Sequence, residues 1–159
     1  DLAAVKNGGF VVSCSDMHYG NRQNLILPGR STHMGDGWET KRRRGPGHDW
    51  CVIRLGARGV VRRVEVDTAH FKGNFPESCS LEVCALPETA GAPVESFHSY
   101  EGWRELLPRT KLQAHTRHFY EAELLDAGVA EYARFQIHPD GGVSRLRLYG
   151  TLSEDATDA

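Results

Sequence analysis

EYARFQIHPDGGVSRLRLYG, residues 131–150, decides the fold class. In its first half Ala133, Phe135 and Ile137 share one side of an extended chain, while Arg134, Gln136 and His138 share the other. In its second half Leu146 and Leu148 oppose Arg145, Arg147 and Tyr149. A repeat of two residues with one apolar face is the pattern of a strand in an antiparallel sheet packed on one side. Asp140-Gly141-Gly142 supplies the reversal between the two strands. Working back along the chain, FVVSC (10–14), WCVIRL (50–55), VVRRVEVDT (60–68), SLEVCAL (80–86) and HFYEAELL (118–125) read as further strands. The link at 87–93 is turn-rich, and EGWRELL (101–107) reads as a single helical turn. Seven or eight short strands joined by turns predict an all-β fold, a β-sandwich or jelly roll. No linker divides the strands, so residues 1–152 are expected to form one domain, with 153–159 (SEDATDA) a disordered acidic tail.

Composition removes several classes of function. The chain has 159 residues, with 19 Lys and Arg against 21 Asp and Glu, a formal charge of −2. Such a balance gives no electrostatic reason to coat a nucleic acid or an anionic membrane. No apolar run approaches the roughly 18 residues of a membrane span. Cys14, Cys51, Cys79 and Cys84 form no C-x-x-C pair, which argues against a zinc knuckle and for four reduced thiols in a cytoplasmic setting. G-x-S-x-G, P-loop and dinucleotide fingerprints do not occur. The opening DLAAVKNGGF has no initiator Met and reads like the interior of a longer polypeptide.

Polar chemistry concentrates between the strands. Residues 15–49 carry little periodic hydrophobicity, and a loop of about 35 residues in a small domain is usually functional. Four His/Asp pairs fall in loops or at strand ends: His33 with Asp36, His48 with Asp49, Asp67 with His70, and His138 with Asp140. A carboxylate can orient an imidazole, raise its pKa, or join it as a metal ligand. Each pair also has a plain structural reading, because Asp-Gly-Gly is a common turn and Asp67-Thr68 can cap a strand end. The segment GDGWETKRRR (35–44) leads two acids and a tryptophan into four consecutive cations. That run is a solvated face, a nucleic-acid patch, or an arginine fork for a small carboxylate. Gly73 and Asn74 in FKGNFP (71–76) suit a tight turn that offers both a donor and an acceptor.

The words SCSDMHYG (13–20), NLILPGR (24–30), THMGDGWETKRRR (32–44), GHDWCVIRLG (47–56), VEVDTAHFKGNFPESCSLE (64–82), WRELLP (103–108) and HPDGGVSRLRLYG (138–150) resemble the allantoicase family. They run in order through nearly the whole chain. The resemblance implies a galactose-binding-like jelly roll. It also implies hydrolysis of allantoate to ureidoglycolate and urea, a C–N bond cleavage in purine and ureide breakdown. Family members are usually about twice this length with two related copies, and this chain is most similar to the second copy. A homo-oligomer, or a partner repeat, is therefore expected. On that reading Arg42 or Arg43 pairs the substrate carboxylate, while Asp36, Glu39 and Asn74 bond its ureido groups. His48 oriented by Asp49 handles the proton, with His138 beside Asp140 as the second choice. No cofactor is certain. A Mn or Zn ion is the metal option, with Asp67, His70 and His138 as its ligands. The competing readings are a binding module without chemistry and a structural half that completes an oligomer.

Overall fold

The computed structural model of the chain describes residues 1–85 and 94–153. The link at 87–93 and, apart from Ser153, the expected tail at 153–159 lie outside the described residues. The strands are β1 (Phe10–Cys14), β2 (Trp38–Glu39), β3 (Asp49–Asp67), β4 (Ser78–Cys84), β5 (Arg104–Lys111), β6 (Arg117–Tyr120), β7 (Ala130–His138), β8 (Gly142–Val143) and β9 (Arg145–Leu152). Short 3-10 turns at Val5–Asn7, Arg22–Ile26, Met34–Asp36 and Val94–Ser99 are the helical pieces among them.

The two apolar runs expected at 50–55 and 60–68 form one strand that changes partners. Residues 49–54 of β3 pair antiparallel with β1 and β7, within the order β1-β3-β7-β4-β5. Residues 59–67 pair with β9, and residues 64–67 also with β6. The register breaks between Arg54 and Gly59, where the strand passes from one layer to the other. Both halves run antiparallel to their partners, so Asp49 and Asp67 return to the same end of the molecule. Backbone bonds mark that end: Asp49 N–H donates to Pro139 O at 3.1 Å, and Ser144 N–H to Asp67 O at 2.8 Å.

Alternation decides what goes inside. Ile53, Leu81, Phe135 and Ile137 from one layer and Val64, Val66, Leu146 and Leu148 from the other are fully buried in one core. Each such side chain contributes about 1.5–3 kcal/mol of burial. The outward Arg134, Gln136 and His138 are partly exposed, as their alternation predicts. Arg145 departs from the pattern: it is buried beneath the segment that contains residues 24–36.

Two local expectations are corrected. Residues 104–107 belong to strand β5, paired with β4, and not to a helical turn. Leu106 and Leu107 are both buried there, and sheet pairing overrides the helix preference of Glu and Leu. Strand character in 118–125 ends at Tyr120, after which Leu124 packs on the core from a turn.

The 15–49 segment is not loose. Leu25, Ile26 and Trp38 are fully buried, and Trp38 Nε1–H donates to Asp16 O at 2.8 Å. β2 pairs with β8, which draws the segment onto the β7–β9 connection. Gly141 there has φ +129, and a Cβ on it would come within 2.6 Å of Asn74 O. Only glycine allows both the dihedral and the approach.

Candidate active site

Loops at the Asp49 end of the sandwich form an open cavity of about 530 Å³. Ser15, Asp16 and Asp49 line it together with Lys41, Arg42, Arg43 and Arg44. Four cations against two carboxylates give a wall charge of 4 − 2 = +2, on a chain whose total is −2. The excess charge is therefore local, and it suits a small anion.

Backbone geometry arranges these groups. Asp16 carboxylate accepts from the Lys41 N–H at 2.8 Å and the His18 N–H at 3.1 Å, which fastens the start of the cationic run. Asp140 Oδ2 accepts from the Arg43 N–H at 2.8 Å. Arg43 Nη1 donates to Asp49 Oδ1 at 3.0 Å, and Ser15 Oγ donates to the same oxygen at 2.8 Å. Asp49 is 1% exposed, and its Oδ2 has no hydrogen-bond partner among the described residues. Buried carboxylate oxygens are normally satisfied, so an orphan beside a polar cavity marks a functional candidate. Arg42 and Arg44 are exposed, and among the described residues neither side chain has a hydrogen-bond or ion-pair partner.

The sequence-adjacent His/Asp pairs do not pair in space. His48 Nε2 donates to Gln136 Oε1 at 2.5 Å and stands 4.7 Å, ring to ring, from His138. Asp49 therefore does not orient His48. Neighbours along a strand point to opposite faces, so Asp49 enters the end of the core while His48 joins the outer face of β7. Asp140 likewise serves the Arg43 backbone, and His138 instead meets Ser80 Oγ at 3.2 Å. Burial, then His48 and Arg109, lower the His138 pKa to about 4, against an opposing effect of Glu77. It is a neutral imidazole at pH 7. Glu82 organises this outer face: it holds Arg134 through contacts of 2.7–3.1 Å and accepts from the Gln136 amide.

The remaining expected site residues lie outside the cavity lining. Asp36 Oδ2 accepts from Arg145 Nη2 and the Thr32 N–H, each at 3.1 Å. Glu39 Oε2 accepts from Asn74 Nδ2 at 2.5 Å, so these two bond each other. Asp67 Oδ1 caps the Ala69 N–H at 2.9 Å, and Oδ2 faces Arg30 at 3.4 Å. His70 Nε2 is bonded to Ser31 O at 3.0 Å. The expected metal ligands Asp67, His70 and His138 thus have other partners. Among the described residues no group of three His, Cys, Asp or Glu side chains is placed to hold a metal ion. The donor set does not fit Mn or Zn. Sequence reasoning missed Ser15, Asp16, Lys41 and Arg44 as wall residues, although SCSD and TKRRR lay within the recognised words. It also missed Arg145, which its outward alternation disguised.

Residues 1–153 match the allantoicase repeat. A probable allantoicase of Ralstonia nicotianae is 50% identical over 152 residues, 96% of this chain and 45% of that protein. The allantoicase of Dictyostelium discoideum is 50% identical over 155 residues, 97% of this chain and 41% of that protein. The chain thus spans less than half the length of these curated relatives. The crystal structure of allantoicase from Saccharomyces cerevisiae superposes with a TM-score of 0.80 at 40% identity, over 95% of this chain and 43% of that one. A chitosan-binding module from a Paenibacillus chitosanase/glucanase superposes at 0.65 with 18% identity, which shows the shared galactose-binding-like β-sandwich alone. No helix among the described residues is long and apolar enough to cross a membrane. The chain belongs to the allantoicase family.

Proposed function

We propose that this chain binds allantoate in the cationic cavity and hydrolyses it to ureidoglycolate and urea, as a repeat of an allantoicase. One observation carries the reading: four consecutive cations wall a cavity of about 530 Å³ around a buried aspartate with an unpartnered oxygen. Allantoate presents a carboxylate and two ureido groups on one carbon. Arg42 and Arg44 take the carboxylate, and a charge-assisted contact of this kind is worth about 1.5–3 kcal/mol. Arg43, fixed by Asp49 and by the Asp140 contact to its backbone, completes the fork. Ser15 and Asp16 bond the ureido groups.

The reaction breaks the bond between the central carbon and one ureido nitrogen. A hydroxyl from water joins the carbon, and a proton goes to the departing urea. The Asp49 carboxylate, part of the cavity lining, is the proton acceptor for that water, a role typically worth 10²–10⁴-fold in rate. The outer-face histidines, His48 and His138, keep the ends of β3 and β7 in place without touching substrate. No metal step enters this mechanism.

The oligomer or partner repeat belongs to the same proposal. Its support is the share of the relatives' length that this chain leaves unmatched. A cytoplasmic setting belongs to it as well. The test is urea release from allantoate by the purified chain and by its Arg42→Ala variant. Saturable release with a raised KM in the variant supports the proposal. Binding without release would leave a binding module, and neither would refute the reading.

A further inference from the structure

β1 and β3 place two of the four cysteines directly opposite each other. Cys14 and Cys51 are register partners in that antiparallel pair. The neighbouring Ser15 N–H donates to Trp50 O at 2.9 Å, which makes Ser15 and Trp50 a hydrogen-bonded position. Hydrogen-bonded and non-bonded positions alternate, so Cys14 and Cys51 occupy a non-bonded one. At such positions the Cα atoms approach to about 4.5 Å, and the side chains are closest. A disulfide needs a Cα separation of about 4.4–6.8 Å. The faces also agree. Cys51 is buried in the main core, and Cys14 packs against that same core.

The two thiols differ in access. Cys51 is fully buried, and burial raises its thiol pKa well above the ordinary range. Cys14 is partly exposed beside Ser15 of the cavity wall, and Arg22 Nη1 lies 3.8 Å from its sulfur. Arg22 is itself anchored on the Val11 and Val12 carbonyls at 3.2 and 3.3 Å. A fixed guanidinium is a donor aimed at the charge the sulfur carries as it attacks. Cys79 pairs in register with Ile137 and Cys84 with Tyr132, and the two pack into different apolar clusters.

We propose that Cys14 and Cys51 are a redox pair, in which a hydroperoxide oxidises Cys14 and Cys51 resolves it to a cross-strand disulfide. In the first step the Cys14 sulfur attacks the peroxide, the O–O bond breaks, and sulfenic acid and one water (or alcohol) form. In the second step the Cys51 sulfur attacks the sulfenic sulfur, the S–O bond breaks, and a second water leaves with the Cys51 proton. The two sulfurs together lose two electrons, which reduce the peroxide. The bridge staples β1 to β3 two residues from Asp49, at the wall of the cationic cavity.

The experiment treats the folded chain with hydrogen peroxide, unfolds it in denaturant, blocks remaining thiols by alkylation, and maps peptides by mass spectrometry. The expected result is a reducible link between the Cys14 and Cys51 peptides, with Cys79 and Cys84 alkylated. In Cys51→Ala the expected result is no link and a Cys14 sulfenic acid that a dione reagent traps. If Cys51→Ala does not fold, the wild-type map decides alone. Alkylation of both Cys14 and Cys51 after treatment, a chain-to-chain link through Cys14, or arrest of Cys14 at sulfinic acid in the wild type would each overturn the proposal.

Discussion

Replacing Arg145 with methionine removes the tie between the end loops and the start of β9. The side chain is 3% exposed. Its Nε donates to Gly29 O at 3.1 Å, and its Nη1 to Asn24 O at 3.1 Å, Asp36 O at 2.5 Å and Ser144 O at 2.7 Å. Its Nη2 donates to Asp36 Oδ2 at 3.1 Å. Methionine keeps the apolar stem and leaves four carbonyls and one carboxylate without that donor. Breaking a buried ion pair costs about 3–5 kcal/mol. Asp36 is a quarter exposed and keeps the Thr32 N–H, so the lower part of that range, about 3 kcal/mol, applies. For a domain of this size that is a fall of about 6–12 °C in Tm. Urea unfolding gives the free energy directly, and amide exchange locates the loss in residues 22–36. Arg145→Lys, with one charge and no fork, is expected to fall between the two. A loss below about 1 kcal/mol with unchanged exchange in 22–36 would refute the argument that this guanidinium anchors the loops.

Three further outcomes follow from named contacts. Arg42→Ala, at an exposed position, is expected to raise KM for allantoate at least about tenfold with Tm unchanged, as steady-state kinetics and a melting curve check. Gly142→Ala puts a methyl carbon 2.0 Å from the buried Phe71 ring and is expected to cost about 1–3 kcal/mol in urea unfolding. His138 has a folded pKa of about 4, below its unfolded value of 6.5, so the unfolded chain binds the extra proton between those limits. Its contribution is therefore present above about pH 6.5 and is lost as pH falls toward 4. Because the ring is partly exposed the effect is on the order of 1–2 kcal/mol, and His138→Gln is expected to flatten stability against pH in that window relative to wild type.

Much of the architecture was legible in period-two text. The faces of β7 and the Leu146 and Leu148 side of β9 follow from alternation, because each strand buries one side. What failed did so for tertiary reasons. Residues 104–107 have helical composition, yet β4 offers them a partner edge. Arg145 stands on the polar side of β9, yet the 22–36 segment covers it and turns a surface residue into an anchor. The site was legible in kind and not in pairing. The run at 41–44 walls a polar cavity with Asp49, and its use as a carboxylate fork belongs to the proposed function. His48 and Asp49, adjacent in the chain, face different partners because a strand separates its neighbours by half a turn. Glu39 with Asn74, and Asp36 with Arg145, are pairs that only long-range folding creates.

Calorimetric titration of the chain with allantoate, in wild type, Arg42→Ala and His48→Ala, reads the cavity directly without depending on turnover. Saturable binding that weakens at least about tenfold in Arg42→Ala and is unchanged in His48→Ala is the predicted result. Binding that is absent, or that is lost with His48 and indifferent to Arg42, would contradict the assignment of the cationic cavity as the ureide site.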